Sequence, residues 1–235
     1  MIEMQPGFKA KLDGAVDPNK TISVELAVDG NAQYDYSCFG LDGKDKNPDE
    51  RYFVFFGQDS SPANEITFSQ NGSMAVFHVD LFRIPPSIEK LHFTVNIDGK
   101  GSMRDIKSCK VEIKQNGSVA FRLNLRGSNF QNQRAIIVAQ IYKKDVWRIG
   151  AIGNGFNGDL SDLLKHYGME EETDEGNRRP HPSNIPSVPA ANPSAPHRGT
   201  ESSVPPQRPA SPSPVSERIK DMNGKAFEIS PDDWV

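Results

Sequence analysis

The sequence of 235 residues holds only two cysteines, Cys38 and Cys109, too few for a disulfide framework or a four-cysteine zinc site. It has no excess charge of one sign. Lys and Arg number 27 and Asp and Glu 31, leaving a net charge of −4. Without a broad basic field, nucleic acid is not an expected partner. No apolar run approaches the ~20 residues that span a bilayer, so direct membrane insertion is not expected. The N-terminal residues carry no apolar leader, and the expectation is a cytoplasmic protein.

Catalytic signatures are missing as well. There is no H-E-x-x-H or H-x-x-E-H metal spacing and no G-x-S-x-G nucleophile elbow. The histidines are scattered. His78 and His92 fall on strands opposite apolar faces, where exposure is expected, and His166 falls in a helix. The expectation is a protein that is not an enzyme and needs no cofactor.

Composition changes near residue 170. Residues 1–170 contain 18 of the 20 aromatics and 6 of the 18 prolines, whereas 177–216 contain 11 prolines and no aromatic residue. Such a stretch buries too little apolar surface to offset its ordering entropy, which predicts disorder. The domain organisation is a folded domain over 1–170, a Pro/Ser-rich linker over 171–216 and a short terminal motif over 217–235.

The folded part is dominated by a period of two. Ile22, Val24, Leu26 and Val28 share one strand face, as do Leu91, Phe93, Val95 and Ile97, and Val119, Phe121, Leu123 and Leu125. Ala75, Phe77, Val79 and Leu81 form a fourth such face. Residues 51–56 and 134–142 are apolar on both faces and read as central strands. Further strands are expected near 34–41, 65–69, 109–114 and 146–152. Asn71-Gly72 and Asn116-Gly117 are hairpin signals, because a type I′ turn requires positive φ at both central residues. Pro85 and Pro86 mark an edge or loop. A helix follows the strands, with Asp159 as N-cap, Leu160, Leu163 and Leu164 as its apolar stripe and Gly168 as its stop. The fold class is all-β: a two-sheet antiparallel β-sandwich with a short C-terminal helix, followed by a disordered tail.

Three motifs invite chemistry. Gly153, Gly155 and Gly158 match G-x-G-x-x-G, but no βαβ unit follows and an Asp at the N-cap opposes a pyrophosphate. They read as a turn that folds the helix back onto the sandwich. The acidic loop 42–50 invites calcium, yet alternate positions from Asp42 carry Lys44 and Lys46, so a solvated loop is the better reading. Cys38 and Cys109 could bridge two sheets, but Trp147 lies after both rather than between them, and buried free thiols are favoured.

Residues 140–168 resemble the end of a TerD domain, the bacterial tellurium-resistance and stress-protein family. The match is carried by Tyr142, Trp147, Arg148, Ala151, Ile152, Gly153, Gly155, Phe156, Gly158, Leu160, Tyr167 and Gly168, locked in spacing. Looser similarity runs through Ser37, Cys38 and Phe39 and through 87–95, so the resemblance covers roughly 8–168. It implies a non-enzymatic β-sandwich that works with protein partners in a multiprotein stress-resistance assembly. Typical members bind calcium through acidic loop clusters. The matching positions here are Asn31, Gln33 and Asp35, then Ser73, Met74 and Ala75, with Asp98 near a third ligand position. So few carboxylates imply a calcium-independent member. The alternative is a calcium-dependent ligand-binding sandwich using Asp35, Asp98 and backbone carbonyls. Trp147 is expected against the closing helix, with Gly155 or Gly158 at positive φ.

The terminal motif regains apolar residues: Ile219, Met222, Phe227, Ile229 and Trp234. Ile219 and Met222 are spaced for a helical turn, and the aromatics are partner-binding anchors. Docking onto another protein is favoured over docking onto the chain's own domain and over an inert end.

Overall fold

A computed structural model describes residues 1–156, 158 and 160–169. The linker, the terminal motif with Ile219, Met222, Phe227, Ile229 and Trp234, and the Asp159 cap lie outside the described residues.

Two six-stranded sheets face each other. The first runs β1 (Ile2–Met4), β10 (Ser118–Leu125), β9 (Ser108–Gln115), β3 (Ile22–Asp29), β7 (Met74–Val79) and β6 (Ile66–Asn71). The second runs β2 (Lys9–Lys11), β12 (Val146–Phe156), β11 (Ala135–Lys144), β8 (Lys90–Asp98), β4 (Gln33–Leu41) and β5 (Phe53–Phe55). All pairings are antiparallel except β1 on β10. The sequence pattern missed β1 and β2, which are three-residue edge strands too short to show a period.

The alternating faces read from sequence meet in the middle. Val24, Leu26, Phe77, Val111 and Leu123 of the first sheet join Tyr36, Cys38, Phe93, Val95 and Ile149 of the second in one core. Cys38 and Cys109 are buried, unpaired and on different sheets, and burial raises both thiol pKa values.

A second, smaller core lies on the outer face of the second sheet. Phe39, Phe53, Phe55, Ile137 and Phe156 lie beneath helix α1 (Leu160–His166), which contributes Leu160, Leu163 and Leu164. The helix stops as its sequence predicts. Gly168 takes φ +76°, its N–H donates to the Lys165 carbonyl, and the Met169 N–H donates to the Leu164 carbonyl. This is the paired bonding of a Schellman ending, with Met169 and Leu164 both in the second core.

This second core corrects three expectations. Residues 51–56 do not form a central strand: β5 is an edge strand, apolar on both faces because one meets the inter-sheet core and the other the helix. His92 is buried, since its face of β8 is covered, whereas His78 is exposed as expected. Trp147 is buried, but in the inter-sheet core rather than against α1.

The turns also differ in detail. Asn116 and Gly117 have φ of 51° and 76°, as a type I′ turn requires. At the other hairpin Asn71 pairs with Met74, so the loop is Gly72 and Ser73 and only Gly72 has positive φ. In the glycine motif the residue at positive φ (67°) is Gly153, not Gly155 or Gly158. Gly153 is no turn. With Ile152 it stands opposite the single residue Val138 as a β-bulge inside β12.

Candidate functional site

On the outer face of the second sheet, beside α1, lies a cavity of about 590 Å³. Ile137 and Ile152 form its apolar floor on β11 and β12. Lys9 enters from β2, His92 from β8, and Gln140 and Asn154 from β11 and β12. Lys44, Asp45 and Lys46 enter from the 42–49 loop, and His166 and Tyr167 from the end of α1.

A backbone irregularity aims Gln140 here. Ile136 and Val138 face the inter-sheet core, so strict alternation would put residue 140 there too. Instead Val138 is an extra residue against β8: Ile137 pairs with Thr94 and Ala139 with Phe93. Val138 and Ala139 both face inward, and Gln140 turns outward, directly opposite His92.

His92, only 8% exposed, joins the helix to the sheet. Its Nε2 lies 3.3 Å from Gln140 Oε1 and its Nδ1 lies 2.8 Å from the Tyr167 hydroxyl. A carboxamide oxygen only accepts, so Nε2 carries the proton, and the Tyr167 hydroxyl donates to Nδ1. Burial lowers the His92 pKa to about 4, against smaller opposing effects of Asp45 and Gln140, so the ring is neutral at neutral pH. Burial first, then Lys46, also lowers the His166 pKa.

The loop over the cavity is more than a solvated connection. Asp42 Oδ1 accepts from the backbone N–H groups of Lys44 and Lys46, which lowers its pKa and shapes the turn. The Asn47 N–H donates to the Tyr167 carbonyl at 2.8 Å, and Lys46 Nζ donates to the His166 carbonyl at 2.6 Å. The latter places a cation on the carbonyl end of the helix. The nearby carboxylate, Asp45, is held by Lys90 at 2.6 Å.

The positions that the resemblance aligns with calcium ligands lie elsewhere. Asp35 pairs with Asn96, and Gln33 with Asp98, across β4 and β8. Asp35 and Asp98 are therefore diagonal neighbours on adjacent strands. Asp35 also lines a second cavity of about 490 Å³ with Asp59, Gln33 and the exposed Phe56. Ser73, Met74 and Ala75 sit at the β6–β7 hairpin and bring no carboxylate, and the Ser73 carbonyl is taken by the Tyr36 hydroxyl at 2.5 Å. No group of three or more His, Cys, Asp or Glu side chains gathers around a metal position among the described residues.

Sequence reasoning missed the first cavity. The signal was present in Lys44 and Lys46, which opposed calcium in the loop, and in Tyr167, matched as a family residue without a partner for its hydroxyl. The Val138 bulge that supplies Gln140 has no visible signature in a run of small apolar residues.

The TerD domain family model matches residues 1–167. The tellurium resistance protein TerA of an Alcaligenes species is 31% identical over 119 residues, 49% of this chain and 34% of that protein. This chain thus spans about a third of that relative's length. Chemical-damaging agent resistance protein B of Clostridium acetobutylicum is 32% identical over 98 residues, 39% of this chain and 70% of that protein. A crystal structure of a protein of unknown function superposes with a TM-score of 0.51 at 14% identity, covering 63% of this chain and 95% of that chain, a likeness of fold alone. No helix among the described residues is long and apolar enough to cross a membrane.

Proposed function

Because the chain belongs to the TerD domain family, with tellurium- and stress-resistance proteins among its homologues, we propose that it is a non-enzymatic interaction protein of bacterial stress resistance, working in the cytoplasm with protein partners and without calcium. The observation that carries the calcium-independent reading is the replacement of carboxylates at the family ligand positions. Asn31, Gln33 and Ser73 to Ala75 offer no charge to offset the dehydration of Ca²⁺. The non-enzymatic reading rests on the state of the reactive groups. The thiols are buried with raised pKa values, and His92 is neutral and held on both nitrogens. In this reading 217–235 is the partner-docking motif, anchored by Ile219, Met222, Phe227, Ile229 and Trp234.

Calorimetric titration of the full chain with Ca²⁺ tests the first part. No binding tighter than about 1 mM and an unchanged melting temperature are expected; micromolar binding with a raised melting temperature overturns it. Affinity capture comparing the full chain with Phe227→Ala/Trp234→Ala tests the second, and equal recovery of partners from both removes the docking motif. One observation favours the calcium-dependent alternative. Beside Asp35, the buried Asn96 carboxamide has no hydrogen-bond partner among the described residues for either its oxygen or its nitrogen; a cation would satisfy the oxygen and an ordered water the nitrogen.

A further inference from the structure

Lys9, Lys44 and Lys46 put three ammonium groups around the first cavity, and none meets a carboxylate within ion-pair distance among the described residues. The lining carboxylate, Asp45, is neutralised by Lys90. The hydrogen-bond chain Tyr167 to His92 to Gln140 runs in one direction, and it uses the Gln140 oxygen as its terminal acceptor. What remains free on that carboxamide is its NH₂, a donor. The cavity is therefore rich in donors and positive charge, poor in unpaired negative charge and apolar at its floor.

From this we propose that the cavity is a binding site for a small organic anion. Its acidic group lies among Lys9, Lys44 and the Gln140 amide, and its apolar body lies on Ile137 and Ile152. A cation is disfavoured because no free carboxylate faces the space. A bare inorganic oxyanion is disfavoured because it would leave the floor uncovered and most of the 590 Å³ unfilled, a volume in the range of small-molecule sites. The floor, Lys9 and Gln140 belong to strands locked in register, and the loop that carries Lys44 is tied to the end of α1 through Asn47 and Lys46, so the site is formed before the ligand arrives. The inference goes beyond the proposed function and stands apart from it, since calcium binding at Asp35 or its absence leaves this cavity unchanged.

The acidic group can be a phosphate monoester or a carboxylate, and the experiment separates them. Isotope-labelled full chain is titrated with phenyl phosphate, benzoate, benzyl alcohol and inorganic phosphate while the His92, His166, Gln140 and Ile152 resonances are followed. At least one aromatic anion is expected to give saturable shifts confined to the cavity, and the one that binds more tightly identifies the acidic group. Benzyl alcohol and inorganic phosphate should bind at least about tenfold more weakly. The bound anion should raise the His166 pKa, because it opposes the Lys46 charge that lowers it. Lys9→Ala/Lys44→Ala should weaken binding at least about tenfold, while Lys165→Ala, which removes an exposed charge outside the cavity, should leave it unchanged. The proposal is overturned if neither aromatic anion saturates by about 10 mM. It is equally overturned if benzyl alcohol or inorganic phosphate binds as well as the aromatic anions, or if Lys165→Ala costs as much as the double substitution.

Discussion

The outer faces of the two sheets differ in what covers them, and this difference accounts for most of what is distinctive in the molecule. On the first sheet no helix or loop among the described residues covers the outer face, which carries a charge network. Glu112 takes Arg122 at 2.7 Å and Lys114 at 3.2 Å, and Lys114 also reaches Glu25 at 2.6 Å. β3 accordingly alternates between buried and half-buried residues. On the second sheet the outer face is roofed by α1 and the 42–49 loop. Nearly every residue of β4 and β8 is buried, polar ones included. One sheet thus keeps its outer face polar and half-buried. The other hides Phe39, Phe53 and Phe55 and gains a lined cavity where the roof ends.

The largest expected effect tests which core Trp147 belongs to. Trp147→Ala should cost about 3–5 kcal/mol as a large-to-small change in the core shared by both sheets. A urea midpoint series reads it. An unchanged midpoint would place the ring at the surface, and loss of protection confined to α1 in hydrogen exchange would return it to the helix side.

Next comes His92, which belongs to the covered face alone. Burial holds its pKa at about 4, below the ~6.5 of an unfolded chain. As pH falls through this window the unfolded chain takes up the proton and the folded one does not. His92 therefore contributes stability fully present above about pH 6.5 and lost by about pH 4, on the order of 3 kcal/mol. The charged and titrating groups facing it are Asp45, Lys90, His166 and Tyr167. Urea midpoints measured across this window for the protein and for His92→Gln should show a flatter pH dependence in the variant. Equal slopes would mean that the ring reaches solvent.

Leu163→Ala should cost about 2–3 kcal/mol, toward the low end for a buried leucine, because a seven-residue helix packed on one face of a sheet can shift to close part of the gap. Its second readout is local. Amide exchange should rise in α1 and the 42–49 loop, joined through Asn47 and Lys46, and stay unchanged in β3 and β9. A uniform rise over both sheets would show that the roof and the sandwich unfold as one unit.

The same contrast explains what the sequence could disclose. Strands with one wet face write their alternation plainly, so β3 and β10 were legible from Ile22, Val24 and Leu26 and from Phe121, Leu123 and Leu125. Strands with two dry faces either lose the alternation, as 51–56 do, or keep it and mislead about the second face, as β8 does. Residues 51–56 then looked central although β5 is an edge, and His92 looked exposed because the apolar stripe beside it implied a wet opposite face. The helix and its glycine stop were legible because caps and apolar spacing are local chemistry. The cavity was not, since it depends on the Val138 and Gly153 bulges and on a loop that meets the helix from about 120 positions away in sequence, a contact no local pattern encodes.

The smallest expected effect lies on the wet face. The Glu112 side chain is 5% exposed, while its partners Arg122 and Lys114 are 30% and 23% exposed. Burial raises its pKa, but the hydrogen bonds from Arg122 and Lys114 and the nearby Lys110 outweigh that, and the carboxyl titrates below its ordinary value. Glu112→Gln keeps the shape and one acceptor and removes the charge. The ammonium and guanidinium groups it leaves behind are open to water, and Lys114 retains Glu25, so no fully buried charge is stranded. The cost should be about 1 kcal/mol at low salt, because the partners are hydrated and their attraction is screened. Raising the ionic strength to about 1 M should shrink it toward zero, since the Debye length falls to roughly 3 Å. Leu163→Ala should keep its full cost over the same range, because it removes packing rather than charge. Urea midpoints for the two variants at both salt concentrations make the test. A Glu112→Gln cost that equals that of Leu163→Ala and ignores salt would mean that the first sheet's outer face is held as dry as the second's, and the contrast between the two sheets would fail.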